Sequence, residues 1–168
     1  MTRNERKQVV IAGGGIGGLA AALACARQGV AVQLLERAAQ FSEVGAGIQI
    51  GPNVTRILQA WGLQDALARV AALPQRLQAR DAQTGQVLGS LRLGKRAQTL
   101  YGAPYATIHR ADLHALLWDA AQAAGVQTAW GQTIADWSES TEGVVVQSTS
   151  GQSWQADALV GADGVWST

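Results

Sequence analysis

A cluster of glycines near the start of the chain limits its fold more than any other feature. The cluster reads Gly13-Gly14-Gly15-Ile16-Gly17-Gly18, and its first, third and last residues satisfy the pattern G-x-G-x-x-G. The β-branched run at 8–12 predicts a buried strand, and apolar residues at helical spacing over 16–28 predict a helix. A second strand-like run follows over 30–35. These three elements predict a βαβ unit with parallel strands and a right-handed connection.

Each glycine of the pattern meets a different requirement of dinucleotide binding. Gly13 allows the tight turn, Gly15 lets a diphosphate approach the backbone because no Cβ obstructs it, and Gly18 lets the helix pack close to the sheet. The first turn of the helix, with Ile16 and Gly17, presents free N–H groups and a partial positive charge to the phosphates. These five residues are therefore predicted to bind a dinucleotide. A glycine-rich turn without a ligand is the alternative.

An acidic residue at the end of the second strand supports the same interpretation. Glu36 stands 18 positions after Gly18, and its carboxylate can accept hydrogen bonds from both hydroxyls of an adenosine ribose. The carboxylate would also repel a 2′-phosphate, so this site is not expected to hold NADP. The next residue, Arg37, is predicted to belong to the same site. NAD and FAD share the adenosine diphosphate half, and the glycine pattern does not distinguish them.

The rest of the chain predicts antiparallel structure that interrupts the parallel pattern. Polar and apolar residues alternate over 76–81 and 86–93 around a Thr-Gly pair, which predicts a β-hairpin. A simple dehydrogenase domain would continue with further βαβ units, so this hairpin and a predicted meander favour FAD over NAD. The meander comprises runs 134–139, 144–149 and 153–156; the other predicted elements are a loop over 41–51, helices over 54–61, 63–72 and 112–124, and strands over 106–109, 126–130 and 158–162.

The composition excludes several functional classes. With 13 basic and 12 acidic residues, the chain has no electrostatic case for binding nucleic acid. No apolar run reaches the roughly 20 residues needed to cross a bilayer, so no membrane partner is expected. The single cysteine, Cys25, cannot form an internal disulfide, which favours a cytoplasmic location. His109 and His114 lack a cluster of cysteines or carboxylates, so no metal site is predicted.

Four segments together are more specific than the glycine pattern alone. They are the glycine pattern with Glu36, the segment GAGIQIGPN at 45–53, the segment IHRADL at 108–113 and the segment GADGVWS at 161–167. In this order they resemble the FAD-dependent aromatic hydroxylases, also called class A flavoprotein monooxygenases. The second and third segments are typical of the salicylate hydroxylase and 3-hydroxybenzoate 6-hydroxylase types within that family. The resemblance covers essentially the whole chain.

The resemblance implies flavin contacts beyond the glycine pattern. Arg110 would contact the flavin chain, and Asp163, with Gly164 beside it, would contact the ribityl region. Gly47 would let the backbone approach the isoalloxazine ring, and Ile134 would touch the adenine through its backbone. Each contact has an alternative. Arg110 could be exposed or paired with an acidic neighbour, and the Asp163-Gly164 pair could form a plain Asx turn. Gly47 could lie in a mobile surface loop, and Ile134 could be an aliphatic core residue.

The resemblance also implies a fold and a domain organisation. The fold would be α/β, a Rossmann-like FAD-binding fold with a parallel sheet, a β-meander and an inserted β-hairpin. Residues 1–72 and 102–168 would form two parts of the FAD-binding domain, and residues 73–101 would form a hairpin of the substrate domain. The family's third fingerprint, a Gly-Asp segment, comes well downstream of the Asp-Gly pair. The chain is therefore expected to be an amino-terminal fragment, and its fold to be incomplete.

The activity implied for the intact protein is hydroxylation of a small phenolic or benzoate-type substrate. NAD(P)H would reduce FAD, dioxygen would add to the reduced ring, and a flavin hydroperoxide would deliver the oxygen atom. No residue of this chain is assigned as a catalytic acid or base, and a homodimer is possible. Three alternatives use the same dinucleotide pattern: an NAD-dependent dehydrogenase, a flavin amine oxidase and a non-catalytic dinucleotide-binding module.

Overall fold

The computed structural model describes residues 7–40 and 45–167, with Trp166 described by its backbone alone. The described residues divide into two compact units, one formed by segments 7–40 and 114–167 and the other by segment 45–113. In chain order the elements are β1 Gln8–Ala12, α1 Ile16–Arg27, β2 Ala31–Glu36, β3 Gly47–Ile50, α2 Pro52–Ala60, α3 Gln64–Val70, β4 Ala71–Ala72, β5 Arg76–Arg80, β6 Val87–Arg92, α4 Gly94–Tyr101, β7 Ala106–His109, α5 Arg110–Ala123, β8 Gln127–Trp130, β9 Ile134–Ser140, β10 Gly143–Ser148, β11 Ser153–Ala156, β12 Ala158–Gly161 and a short 3-10 helix, Gly164–Trp166.

The first unit is built on a parallel sheet with strand order β12-β1-β2-β8. In its centre, Val9 of β1 lies opposite Val32 of β2 on one side and Ala158 of β12 on the other. Helix α1 connects β1 to β2, which confirms the predicted βαβ unit. Residues 9–12 of β1 form a continuous apolar run, and β2 is apolar apart from Gln33 and its last residue, Glu36. Such strands are typical of a parallel sheet that is covered on both faces.

A three-stranded antiparallel meander, order β11-β10-β9, covers part of this sheet. Val144 and Val146 of β10 pack with Val10 and Leu35 of the parallel sheet in one buried cluster. Burying side chains of this size stabilises the fold by about 1.5–3 kcal/mol each. The predicted meander is therefore confirmed, and it packs on the face of the parallel sheet that carries Val10 and Leu35.

The second unit contains two small antiparallel sheets. One has the order β3-β7-β4, and the other is the hairpin β5-β6, which was predicted from the alternating pattern. Helix α2 begins at Pro52, where a missing backbone N–H costs nothing. Its buried Thr55 donates a hydrogen bond from Oγ1 to the carbonyl of Pro104 at 2.6 Å. This bond ties α2 to the segment that leads into β7.

Two local expectations in the second unit are wrong, and one helix was not predicted. The predicted loop over 41–51 contains strand β3, since residues 47–50 pair antiparallel with β7; residues 41–44 lie outside the described residues. The predicted helix over 63–72 ends at Val70, and the next two residues form β4 against β7. Helix α4 was not predicted, because its sequence is polar and only Ala97 is buried. In each case a tertiary contact overrides a weak local signal.

The two compact units do not test the predicted division into a cofactor domain and a substrate domain. The two units follow compactness, whereas the prediction concerned which part of the chain belongs to a cofactor or a substrate domain. The assignment of residues 73–101 to a substrate domain therefore stays a prediction. Among the described residues, no helix is both long enough and apolar enough to cross a membrane.

The close packing of the glycine turn generates a stability prediction. A Cβ on Gly18 would lie 1.8 Å from the carbonyl oxygen of Gly13, whereas a Cβ on Gly17 would have no atom within 4 Å. Gly18→Ala should therefore lower the free energy of unfolding by about 3 kcal/mol, and Gly17→Ala should raise it by about 0.5–1 kcal/mol through helix propensity. Urea denaturation of the cofactor-free protein measures both values. Equal stabilities of the two variants would contradict the packing described here.

The turn of the β5-β6 hairpin generates a prediction about ionisation. The Asp81 carboxylate accepts hydrogen bonds from the Thr84 N–H at 2.7 Å, the Thr84 hydroxyl at 2.8 Å and the Gln83 N–H at 3.0 Å. These donors, the Thr84 N–H first, lower the pKa of Asp81. The stabilisation they bring is present above the unfolded-state pKa and is lost as the pH falls through the lower, folded-state pKa.

Thr84→Val should raise the pKa of Asp81, because it removes the hydroxyl donor and keeps the backbone donors. Thr84→Ser should leave that pKa near the wild-type value. Carboxyl chemical shifts followed through an NMR titration test this, and identical titration midpoints in wild type and Thr84→Val would show that the hydroxyl bond is absent in solution.

Candidate cofactor-binding site

The first unit brings the carboxyl ends of three neighbouring parallel strands to one edge of the sheet. Gly13 follows β1, Glu36 ends β2, and Asp163 comes shortly after β12. The Gly13 N–H donates to the Leu35 carbonyl at 2.8 Å, so the turn after β1 is hydrogen-bonded to the neighbouring strand. In open α/β sheets, ligands bind at this edge.

Gly13 is needed for a close backbone approach as well as for the turn. Its φ is +106°, a region that favours glycine. A Cβ at this position would lie 2.4 Å from the carbonyl oxygen of Ala162, at the end of β12. Gly18 is equally confined, because its Cβ would strike the Gly13 carbonyl. These two glycines therefore allow the turn, β12 and α1 to meet.

Gly15 and Gly17 have a different environment, which tests whether a dinucleotide fits. A Cβ on either residue would have no atom of the described residues within 4 Å. Helix α1 starts directly after Gly15, and within the described residues its amino terminus has neither a side-chain cap nor an acidic residue in the first turn. Ile16 is the first residue of this helix. The turn thus presents backbone donors beside open space, and a diphosphate fits this arrangement.

The Glu36 carboxylate is already bound to the backbone. Its Oε2 accepts from the Gly14 N–H at 2.6 Å, and its Oε1 accepts from the Ala38 N–H at 2.8 Å. A carboxylate oxygen has further acceptor capacity, so both oxygens can still accept ribose hydroxyls. Glu36 therefore holds the glycine turn in place in addition to the expected sugar contact. Arg37, the next residue, is exposed.

The structure also locates the predicted contacts at the end of the unit. Asp163 is exposed and makes no side-chain hydrogen bond to the 3-10 helix that it precedes, while Gly164 has a φ of +82°. The carboxylate thus does not form the helix cap expected of a plain Asx turn. Ile134 begins β9, and its side chain packs against the buried cluster of the meander. Any contact of Ile134 with adenine would therefore come from its backbone.

The second unit brings together the other two predicted contacts. Gly47 lies opposite His109 in the β3-β7 pair, and the Arg110 N–H donates to the Ala46 carbonyl at 3.2 Å. A Cβ on Gly45 would lie 2.8 Å from the Cβ of Arg110, so a larger residue at 45 would displace the arginine. Gly47 itself is exposed, and in the part of the chain that the structure describes no atom lies within 4 Å of a Cβ placed there.

His114 contacts the glycine turn, which the sequence did not predict. Its imidazole is buried, and Nε2 lies 2.7 Å from the carbonyl oxygen of Gly14. The available signal was a polar residue within the apolar stripe of a helix, because a buried imidazole needs a hydrogen-bond partner. No group of three His, Cys, Asp or Glu side chains in segments 7–40 and 45–167 is arranged to hold a metal ion.

The two backbone hydrogen bonds of Glu36 generate a prediction for the cofactor-free protein. In Glu36→Gln the side chain has one acceptor oxygen, so it can accept from only one of the two N–H groups, that of Gly14 or that of Ala38. The amide NH2 group then faces the second N–H group, donor against donor. We expect the free energy of unfolding to fall by about 1–3 kcal/mol. Chemical denaturation measures this change, with Glu139→Gln on exposed β9 as the matched control. A loss no larger than that of the control would mean that Glu36 does not stabilise the turn.

Comparisons with known proteins agree with this geometry. The 3-hydroxybenzoate 6-hydroxylase of Klebsiella oxytoca is 39% identical over 158 residues, which cover 94% of this chain and 40% of that protein. The 6-hydroxynicotinate 3-monooxygenase of Pseudomonas fluorescens is 38% identical over 162 residues, which cover 96% of this chain and 42% of that protein. The chain thus spans about 40% of the length of these relatives.

A solved structure and a family model extend the comparison. The structure of Klebsiella pneumoniae HpxO complexed with FAD and uric acid has a TM-score of 0.83 and 25% identity, and the match covers 94% of this chain and 39% of that one. The predicted FAD-binding fold is therefore confirmed. A model described as an FAD binding domain matches residues 6–168. This chain therefore belongs to the FAD binding domain family, and its relatives there include FAD-dependent aromatic hydroxylases.

Proposed function

We propose that this chain is the amino-terminal, FAD-binding part of a monooxygenase that hydroxylates a small aromatic compound. The observation that carries the proposal is the open, donor-rich turn at Gly15 and Gly17, with the Glu36 carboxylate beside it at the carboxyl edge of a parallel sheet. Family membership supports FAD as the ligand. The names of the relatives, which act on hydroxybenzoate and hydroxynicotinate, support an aromatic substrate with a ring hydroxyl or carboxylate.

In this proposal the first unit holds the adenosine diphosphate half of FAD. The N–H groups of Gly15, Ile16 and Gly17 bind the diphosphate, because they lie at an uncapped helix start. Gly13 and Gly18 keep the turn compact. The Glu36 oxygens accept from the ribose.

The remaining contacts rest on the resemblance of the sequence. Arg37 and the backbone of Ile134 lie beside the adenosine, and Asp163 and Gly164 contact the ribityl chain. Gly47 and Arg110 of the second unit approach the flavin. Each of these assignments is a proposal that a cofactor complex would test.

FAD, when bound, would supply the redox chemistry: it would take two electrons from NAD(P)H, and of the two oxygen atoms of dioxygen one would enter the aromatic ring and the other would leave as water. The hydroperoxide route stays a prediction. The residues of this chain bind and orient the cofactor, and none of them is assigned a proton-transfer step. We further propose that the enzyme is cytoplasmic. The lone cysteine, Cys25, supports the cytoplasmic location.

The function is tested on the full-length protein that carries this chain. It should purify with a flavin absorption spectrum, and it should oxidise NADH or NADPH faster when a hydroxybenzoate or hydroxynicotinate is added, with a product one oxygen atom heavier. NADH consumption with amines alone would indicate an amine oxidase instead. Absence of a flavin spectrum, or flavin bound without any turnover of phenolic compounds, would contradict the proposal.

A matched pair of glycine variants tests the diphosphate position. Gly15→Ala and Gly89→Ala both add a methyl group where no atom lies within 4 Å, and neither residue has a positive φ. Gly89 lies in the β5-β6 hairpin, outside the glycine turn. Gly15→Ala should raise the dissociation constant of FAD by about tenfold or more, since the methyl group displaces the diphosphate, while Gly89→Ala should leave it unchanged. Flavin fluorescence titration measures both constants, and equal effects would place the diphosphate elsewhere.

A further inference from the structure

The buried imidazole of His114 contacts the glycine turn, and nothing in the proposed function uses it. Only 3% of this residue is exposed, and its Nε2 lies 2.7 Å from the carbonyl oxygen of Gly14, 100 positions away in sequence. A backbone carbonyl has no hydrogen to give. Nε2 therefore carries the proton and donates it to the Gly14 carbonyl.

Gly14 is held at both of its backbone groups. Its N–H donates to Oε2 of Glu36 at 2.6 Å, and its carbonyl accepts from His114. The residue lies in a run of three glycines, which is the backbone with the widest choice of conformations. The hydrogen bonds with side chains outside the turn therefore restrict the backbone conformation of Gly14.

The orientation of one peptide group follows from the His114 contact. In a planar trans peptide, the carbonyl of Gly14 and the N–H of Gly15 point in opposite directions. Because the carbonyl points to the buried imidazole, the Gly15 N–H points away from it. A flip of this peptide would turn a carbonyl oxygen toward a bound diphosphate, and two negative groups would then face each other.

We propose that His114 is a positioning residue for the diphosphate. By holding the Gly14 carbonyl, it keeps the Gly14-Gly15 peptide in the orientation that presents the Gly15 N–H to the ligand. The inference rests on the proposed function only in naming FAD as that ligand. The proposal predicts that FAD affinity depends on a hydrogen-bond donor at the position of Nε2, and that another side chain with a donor there can replace the imidazole ring.

Substitutions of His114 by two amide side chains of different length distinguish this positioning role from a role in packing alone. In His114→Gln the amide nitrogen reaches about as far as Nε2, and in His114→Asn it falls short. Leu117→Ala is the packing control, because Leu117 is buried on the same helix, α5. All variants are made in the full-length protein and purified with and without FAD.

We expect the dissociation constant of FAD to rise about tenfold or more in His114→Asn, and to stay within about threefold of wild type in His114→Gln. The phosphorus NMR signals of bound FAD should move toward those of free FAD in His114→Asn only. Leu117→Ala should lower the thermal stability without moving these signals. Equal losses in the Asn and Gln variants, or phosphorus shifts in Leu117→Ala like those in His114→Asn, would overturn the proposal.

A cofactor-free measurement separates this inference from the proposed function. With selective 15N-glycine labelling, the Gly15 amide signal, assigned by its loss in Gly15→Ala, should move in His114→Asn and stay in place in His114→Gln. An unmoved signal in both variants would overturn the role of His114, whatever the protein binds. If wild type binds no FAD, the proposed function is wrong and the diphosphate part of this inference falls with it, while the Gly15 signal still decides whether His114 orders the turn.

Discussion

The turn after β1 lies so close to the end of β12 that a single methyl group on residue 13 would overlap the Ala162 carbonyl. The rest of the first unit depends on this approach. It lets residues 9–12 of β1 pair with the whole of β12, and it brings the segment with Asp163 beside the turn. Gly18 extends the same constraint to α1, since its Cβ would collide with the turn. Two of the glycines are thus required by packing before any ligand is considered.

The same turn must remain ordered although it is made of glycine. Fixing a flexible backbone costs about 1–2 kcal/mol of conformational entropy for each residue, and a ligand that had to supply this ordering would bind more weakly. Hydrogen bonds from other elements reduce that cost in advance. Glu36 of β2 holds the N–H of Gly14, and His114 of α5 holds its carbonyl. The two open positions, Gly15 and Gly17, remain accessible.

This arrangement would let backbone groups of the turn bind the proposed diphosphate. The donors are backbone N–H groups at the start of a helix, so their orientation depends on the position of α1 and on the turn, and not on flexible side chains. Glu36 combines a structural role and the proposed sugar contact in one carboxylate. A substitution there is expected to affect stability and affinity together, whereas Gly15→Ala, at the N-cap of α1, is expected to lower affinity much more than stability.

Local patterns in the sequence were sufficient for the βαβ unit, the hairpin and the meander. Each of these joins neighbouring segments, and its signal lies in the spacing of apolar residues and glycines within a short stretch. The four ordered segments were sufficient for the family as well. The same reasoning predicted that the glycine turn follows the first strand and that Glu36 ends the second, and the structure has both at the carboxyl ends of neighbouring parallel strands. Their contact with a cofactor stays a prediction.

Only the tertiary structure decided the rest. Strand β3 has only four residues and lies between the glycines at 45 and 51, which predict a loop, and it forms because β7 offers a pairing edge. The close approach of Gly13 to Ala162 and the bond from His114 to Gly14 join residues more than 90 positions apart. No local pattern encodes such contacts, because the partner of a buried polar group is set by which elements pack together and not by its sequence neighbours.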